Sequence, residues 1–349
     1  GEFSLAAPRL PSPLHLVAAV LNARGISASE RHKALRFCIA LAWRRFQLAD
    51  DISLAQLLAQ HRQTPRLIEY LWEPLCLATL NTPLHEASAQ VFLTVLRDAF
   101  ARRRADSDLL FAATDLGNFF PTAALEYIEQ HGGRVVLAER IGELRIANGA
   151  IAGASSAQQL HASENVVLAT PAYAAARLLT PHVALQTIAR NLEQLTYEPI
   201  CTVYLRYPAH VTLNTGMAGF TGTLTQWLID RAHCEQPGML AAVISARGAH
   251  MDLDNDALIQ RVRAEIARYY PAWPAPYDAM VIREKRATFA CRVGINSLRP
   301  ANATPVRGLW LAGDYTATGY PATLEGAVRS GVQCATQILA ASKSMPISN

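Results

Sequence analysis

The 349 residues carry 32 Lys and Arg against 28 Asp and Glu, and 51% of them are apolar, enough for a substantial core in more than one structural unit. So mild a basic balance, without aromatic residues interleaved among the basic ones, excludes a nucleic-acid surface. No uncharged apolar run approaches the ~18 residues of a membrane-spanning helix, and the six scattered cysteines lack metal or disulfide spacing, as in a reduced cytosolic protein.

The first part of the chain reads mainly as helices. Phe3 to Leu14 holds Pro8, Pro11 and Pro13 and is expected as an extended lead-in, because each proline removes a donor and turns its predecessor away from helix. Ser29 and Glu30 open a helix with Leu35, Ile39, Ala42 and Phe46 along it, and a shorter one begins near Ser53. Leu71 to Leu80 is an apolar helix broken at Pro74, and Glu86 to Ala105 a longer one with Val91, Val95 and Leu96 on one side. Arg44 and Arg45 interrupt one apolar helical stretch and Arg102, Arg103 and Arg104 follow another. Both clusters suit either anionic lipid headgroups or solvated helix ends, where positive charge is favourable.

A helix over Thr122 to Gln130 leads into strands at Val135 to Leu137, Glu143 to Ile146, Ala150 to Ala154 and Val166 to Ala169. Further strands are expected at Ile200 to Tyr207, Leu224 to Asp230, Met239 to Ala246 and Met280 to Ala290, with a helix over Asn255 to Tyr270. The end of the chain, from Ser342, reads as a loose tail.

The most informative stretch is GLWLAGDYTATGYPATLEGAVRSG, Gly308 to Gly331. Leu309 to Ala312 form a continuous apolar strand, as in a sheet covered on both faces. Gly313 permits a sharp turn and Asp314 puts a carboxylate at the strand's carboxyl end, where open α/β sheets bind ligands. Pro321 fits the first turn of a helix whose unpartnered N–H groups, at Ala322, Thr323 and Leu324, attract an electron-rich oxygen. Leu324, Ala327, Val328, Gly331, Val332, Ala335, Ile338 and Leu339 recur at helical spacing and are expected to face the core. No G-x-G-x-x-G follows a strand and precedes a helix, so the loop that seats a dinucleotide pyrophosphate is expected to lie outside these residues. H-E-x-x-H and G-x-S-x-G are also absent, which excludes the metal and serine-hydrolase chemistries those motifs carry.

This C-terminal stretch resembles the FAD signature of the flavin amine oxidase and phytoene desaturase superfamily. The wording GYPATLEGAVRSG, together with LWEPLCLATLNTPLHEASAQVFLTVLRDAF (Leu71 to Phe100) and FSLAAPRLPSPLHL (Phe3 to Leu16), is most similar to the hydroxysqualene dehydroxylases. The resemblance implies an α/β fold: a Rossmann-like FAD/NAD(P)-binding domain of the amine oxidase type, here without its N-terminal strand, and an α+β substrate domain. Helices of the substrate domain would span 1–115, a helix and β-meander of the FAD domain 116–190, the substrate sheet 191–300, the C-terminal FAD strand and helix 301–341, and a tail 342–349.

It also implies site residues. Asp314 would accept a flavin ribityl hydroxyl and Gly313 would approach the phosphates. Pro321, Ala322, Thr323 and Leu324 would meet the flavin's pyrimidine end. The backbone of Ile141 would meet the adenine, and Thr170 and Pro171 would close a turn near the cofactor. Tyr320 and Tyr315 are the catalytic candidates, and Trp227, Phe289, Phe119 and Phe120 the cavity aromatics; core packing accounts for aromatic residues equally well. The implied reaction converts hydroxysqualene to squalene with reduced FAD as hydride donor, on a hydrophobic isoprenoid substrate, near a membrane surface and other enzymes of squalene synthesis. A phytoene-type desaturase, an amine oxidase and a non-catalytic isoprenoid-binding protein are the alternatives.

Overall fold

A computed structural model describes residues 3–344. Past the expected extended lead-in, the apolar run after Pro13 forms a helix, α1 (Leu14–Leu21), that the proline reading missed. The next, α2 (Ala28–Trp43), starts at Ser27 rather than Ser29. Ser27 Oγ accepts the Glu30 N–H while the Glu30 carboxylate accepts the Ser27 N–H at 2.8 Å, a reciprocal cap. Ser53 and Gln56 cap α3 (Leu54–Gln60) in the same way.

After α4 (Pro65–Leu67) the chain is not broken at Pro74. A π-helical turn over Ile68–Trp72 runs into α5 (Glu73–Leu80), where Pro74 occupies the first turn and needs no donor. Ser88 caps α6 (Ala89–Phe100), shorter at both ends than expected, with Val91, Phe92 and Leu93 fully buried. The short α7 (Leu116–Phe119) and α8 (Pro121–Gln130) follow.

Val135 to Leu137 do not form a strand, since no described strand pairs with them. A three-stranded antiparallel meander comes next: β1 (Ile141–Ala147), β2 (Ala150–Ser156) and β3 (Leu160–Ala162). Then come β4 (Val166–Leu168), α9 (Ala172–Leu179) and α10 (Gln186–Glu193). The second half builds a five-stranded antiparallel sheet in the order β6-β7-β8-β5-β9. Its members are β5 (Tyr197–Arg206), β6 (Met217–Gly219), β7 (Trp227–Asp230), β8 (Met239–Ser245) and, after α11 (Asn255–Tyr269), β9 (Asp278–Phe289). Leu258, Val262 and Ile266 of α11 cover the sheet residues Cys201, Val203, Leu240 and Ile244.

The chain ends with β10 (Leu309–Leu311) and α12 (Leu324–Ser344). β10 lies parallel to β4, Leu309 opposite Val166 and Leu311 opposite Leu168. Ser342 to Ser344, expected as tail, complete α12; 345–349 fall outside the described residues, as do Gly1 and Glu2.

One buried cluster joins α2–α6, α9 and α10 to β1, β2, β4 and β10. Polar contacts from Asn81, at φ +48°, tie it to the five-stranded sheet. The Asn81 side-chain amide donates to Pro199 O and Thr288 Oγ1 and its oxygen accepts the Ala246 N–H at 2.6 Å, so β5, β9 and the residue after β8 meet on one buried side chain.

Two helices present a face other than the expected one. In α2 the core takes Ala34, Phe37 and Leu41, while Ile39 and Ala42 lie exposed and Phe46 falls beyond the helix. In α12 Leu324, Val328, Val332 and Leu339 are exposed, and Gly326, Ser330 and Cys334 turn inward. The reason is polar anchoring: Ser330 Oγ accepts the Gly313 N–H at 3.0 Å, and the Asn302 amide donates to Ser330 O and to Leu311 O. Hydrogen bonds from Asn302 and Gly313, on either side of β10, to one side of the helix fix its rotation.

Candidate functional site

The turn after β10 carries the site. Gly313 has φ +147°, and a Cβ there would meet the Tyr315 ring at 2.7 Å, so glycine is required both by conformation and by space. Asp314 follows at the carboxyl end of the strand, and no side-chain donor among the described residues reaches its carboxylate. Burial pushes its pKa up, and the Arg299 charge opposes that rise.

Arg299, which the sequence reading did not single out, organises this turn. It is 5% exposed. One guanidinium nitrogen donates to Tyr320 O at 2.7 Å and Asn296 Oδ1 at 3.2 Å, the other to Asp314 O at 2.8 Å and Thr318 Oγ1 at 2.9 Å. The guanidinium also stands over the Phe289 ring, 5.2 Å from its centroid. Desolvation lowers its pKa to about 10, still charged at neutral pH. The only sequence signal was an arginine fifteen to twenty-one residues ahead of the atoms it holds in the turn, a spacing with no periodic signature.

Of the two catalytic candidates, Tyr315 is fully buried and its hydroxyl donates to Leu168 O at 3.3 Å. Tyr320 donates its hydroxyl to Asp98 Oδ2. Asp98 is held in turn by Arg97 Nε at 2.7 Å and Arg102 at 3.3 Å. This brings the end of α6 against the turn, and Thr79, Val95, Asp98, Tyr320, Pro321 and Thr323 line a shared cavity of about 580 Å³. Tyr197, at the start of β5, was missed. Its hydroxyl oxygen and Thr170 Oγ1 are both buried without a hydrogen-bond partner. Burial raises the Tyr197 pKa and the Asp314 charge adds to the rise, while the Tyr173 backbone and the Arg286 charge oppose it. Arg286 lies 4.7 Å over Tyr173 and 5.9 Å from the Tyr197 ring.

Gly313, Asp314, Tyr315, Tyr320, Pro321, Ala322, Thr323 and Leu324 are thus continuous with Arg299 and, through it, with buried Phe289. Thr170 and Pro171 follow β4, the strand beside β10. Ile141 opens β1 and packs on the main core. Trp227 lies in β7 with its ring against Gly219, and Phe119 and Phe120 are exposed.

These residues fit a flavin dinucleotide. A carboxylate without a side-chain donor suits a sugar-chain hydroxyl, and an orphaned buried hydroxyl at Thr170 needs a partner. The α12 N-terminus, whose first N–H groups lack intrahelical acceptors, suits an electron-rich ring oxygen. A parallel strand ending in Gly-Asp beside a helix N-terminus, next to a five-stranded antiparallel sheet, defines a dinucleotide-binding oxidoreductase. The chain belongs to the flavin containing amine oxidoreductases, whose family pattern matches residues 4–339; its cofactor is FAD.

Among curated relatives, hydroxysqualene dehydroxylase of Rhodopseudomonas palustris is 30% identical over 287 residues, covering 79% of this chain and 64% of the relative. That of Zymomonas mobilis is 26% identical, covering 75% and 60%. Zeta-carotene desaturase of Synechocystis is 25% identical over 332 residues, covering 83% and 66%. The chain therefore spans somewhat under two thirds of the length of these relatives. Putrescine oxidase bound to putrescine superposes with a TM-score of 0.64 at 17% identity, over 90% of this chain and 76% of that one. Cyclohexylamine oxidase from Brevibacterium oxydans gives 0.63 at 14% identity, over 97% and 79%. At such identities these two structures speak for the fold.

Proposed function

We propose that these residues form the larger part of an FAD-dependent enzyme that reductively removes the allylic hydroxyl of hydroxysqualene to give squalene. The observation that carries this reading is the Asp314 carboxylate, free of side-chain donors at the end of β10, in a chain whose relatives include three hydroxysqualene dehydroxylases. Asp314 and the first turn of α12 hold the cofactor, and Arg299 holds Asp314. Bound in its reduced form, FAD supplies the hydride.

The chain's own task is to help a hydroxide depart. The C–O bond breaks, hydride adds to the allylic carbon, and a proton must reach the oxygen so that water leaves. Tyr315 and Tyr320 have their protons committed to Leu168 O and Asp98, which leaves Tyr197, whose hydroxyl is buried and whose proton has no acceptor among the described residues. Its raised pKa keeps it protonated, and any phenol is a far stronger acid than water, so transfer to hydroxide is downhill. Tyr197→Phe is expected to lower product formation by about 10²-fold or more while leaving the bound-flavin spectrum unchanged. Product formation within about threefold of the parent would remove Tyr197 from this role.

Residues 1–349 alone are expected to bind FAD weakly, because no glycine loop follows a strand among them to seat the pyrophosphate. Stoichiometric yellow protein after gel filtration would contradict this. The function itself is tested by adding hydroxysqualene to the reduced, FAD-loaded enzyme and looking for squalene by mass spectrometry. The zeta-carotene desaturase relative supports a second reading, in which hydride passes to oxidised flavin and a double bond is introduced. A conjugated polyene from a phytoene-type substrate, with no squalene, would favour it.

A further inference from the structure

Residues 1–48 hold seven Arg and Lys against two Glu, whereas the rest of the chain is close to neutral. None of the seven, from Arg9 to Arg45, forms an ion pair among the described residues. Arg102 and Arg104, by contrast, are already paired with Asp98 and Asp108, so that cluster presents little free charge.

The same segment exposes apolar side chains in an ordered way. On α1, Leu14, Val17 and Leu21 are exposed at i, i+3 and i+7, opposite buried His15 and Ala19. On α2, which packs against α1, His32, Arg36, Ile39 and Trp43 form a second exposed stripe, and Trp43 is 87% exposed. Arg44 and Arg45 continue it. A tryptophan left in water at a helix end, beside unpaired arginines, is out of place on a surface that stays in water.

We propose that the α1–α2 face docks on an anionic lipid bilayer. Leu14, Val17, Leu21, Ile39 and Trp43 enter the boundary between headgroups and acyl chains, and Arg36, Arg44 and Arg45 meet the phosphates. Charge selects this occupant: a second copy would bring like charge against like charge, whereas an anionic surface complements it. No described helix is long and apolar enough to cross a membrane, so the contact is interfacial. It holds whichever oxidoreduction the site performs.

The test uses the full chain with phosphatidylcholine vesicles containing none or roughly one-third phosphatidylserine. Co-sedimentation is expected with the anionic vesicles at low ionic strength, weakening as salt is raised, with a blue shift in emission that Trp43→Phe abolishes. Each basic side chain at such a surface is worth about fivefold in partitioning. The triple variant R36E/R44E/R45E should therefore bind at least about tenfold less, and R102A/R103A/R104A within about twofold of the parent. Native circular dichroism of every variant excludes misfolding as the cause. Absence of binding to anionic vesicles, unchanged binding by the R36E/R44E/R45E variant, or a Trp43-dependent dimer in gel filtration without vesicle binding would overturn the proposal.

Discussion

Replacing Arg299 with alanine is expected to lower the free energy of unfolding by about 3–5 kcal/mol, because several buried acceptors lose a charged donor at once, each loss costing roughly 1–3 kcal/mol and not adding in full. The substitution strips Tyr320 O and Asp314 O of their side-chain donor, takes one of two donors from Thr318 Oγ1 and removes the positive charge that opposes the rise in the Asp314 pKa. Arg299→Lys keeps the charge but not the planar fork that reaches both ends of the turn, so it should recover only part of the loss. Urea unfolding of the two variants measures this. A loss below about 1 kcal/mol for the alanine variant, typical of an exposed ion pair, would mean that the turn holds itself.

Asp314→Ala should weaken FAD binding in the holoprotein by about 1.5–3 kcal/mol, or ten- to a hundredfold in the dissociation constant, as expected for a charge-assisted hydrogen bond. The burial of Asp314 makes the effect specific: desolvation already disfavours its charged form, so a hydroxyl donor from a ligand is worth more there than in water. Removing this carboxylate should also raise stability slightly in the absence of flavin, since an under-partnered charge is lost. An unchanged dissociation constant would remove Asp314 from the cofactor site.

The strand, the Gly-Asp turn and the last helix were legible because they are local. Strand hydrophobicity, a glycine needing positive φ and a proline at a helix start each act within a few residues. Two strands of the β-meander and four of the five-stranded sheet were legible for the same reason, through period-two patterning and turn residues, whereas the three-residue strands β3 and β6 are too short to show a period and were not expected.

Rotation of the helices was not. α2 has apolar residues on two sides, and only its neighbours decide that Phe37 and Leu41 go inward while Ile39 and Trp43 do not. In α12 the apolar stripe lost to a small polar face, because Ser330 and Asn302 bind the backbone of the turn, a preference that hydrophobic periodicity cannot register. Arg299, Asp98 and Tyr197 are all long-range: Asp98 precedes Tyr320 by more than two hundred residues. A lone Asp or Tyr within a helix or strand carries no mark of such a partner.

The proposed delivery of hydride to an allylic carbon as hydroxide leaves is tested most directly by mixing anaerobically reduced, FAD-loaded enzyme with hydroxysqualene and following the flavin absorbance while squalene is quantified. Reoxidation of the flavin without oxygen is expected, with one squalene formed per flavin reoxidised. A flavin that stays reduced, while the oxidised enzyme is bleached by a carotenoid precursor, would contradict it.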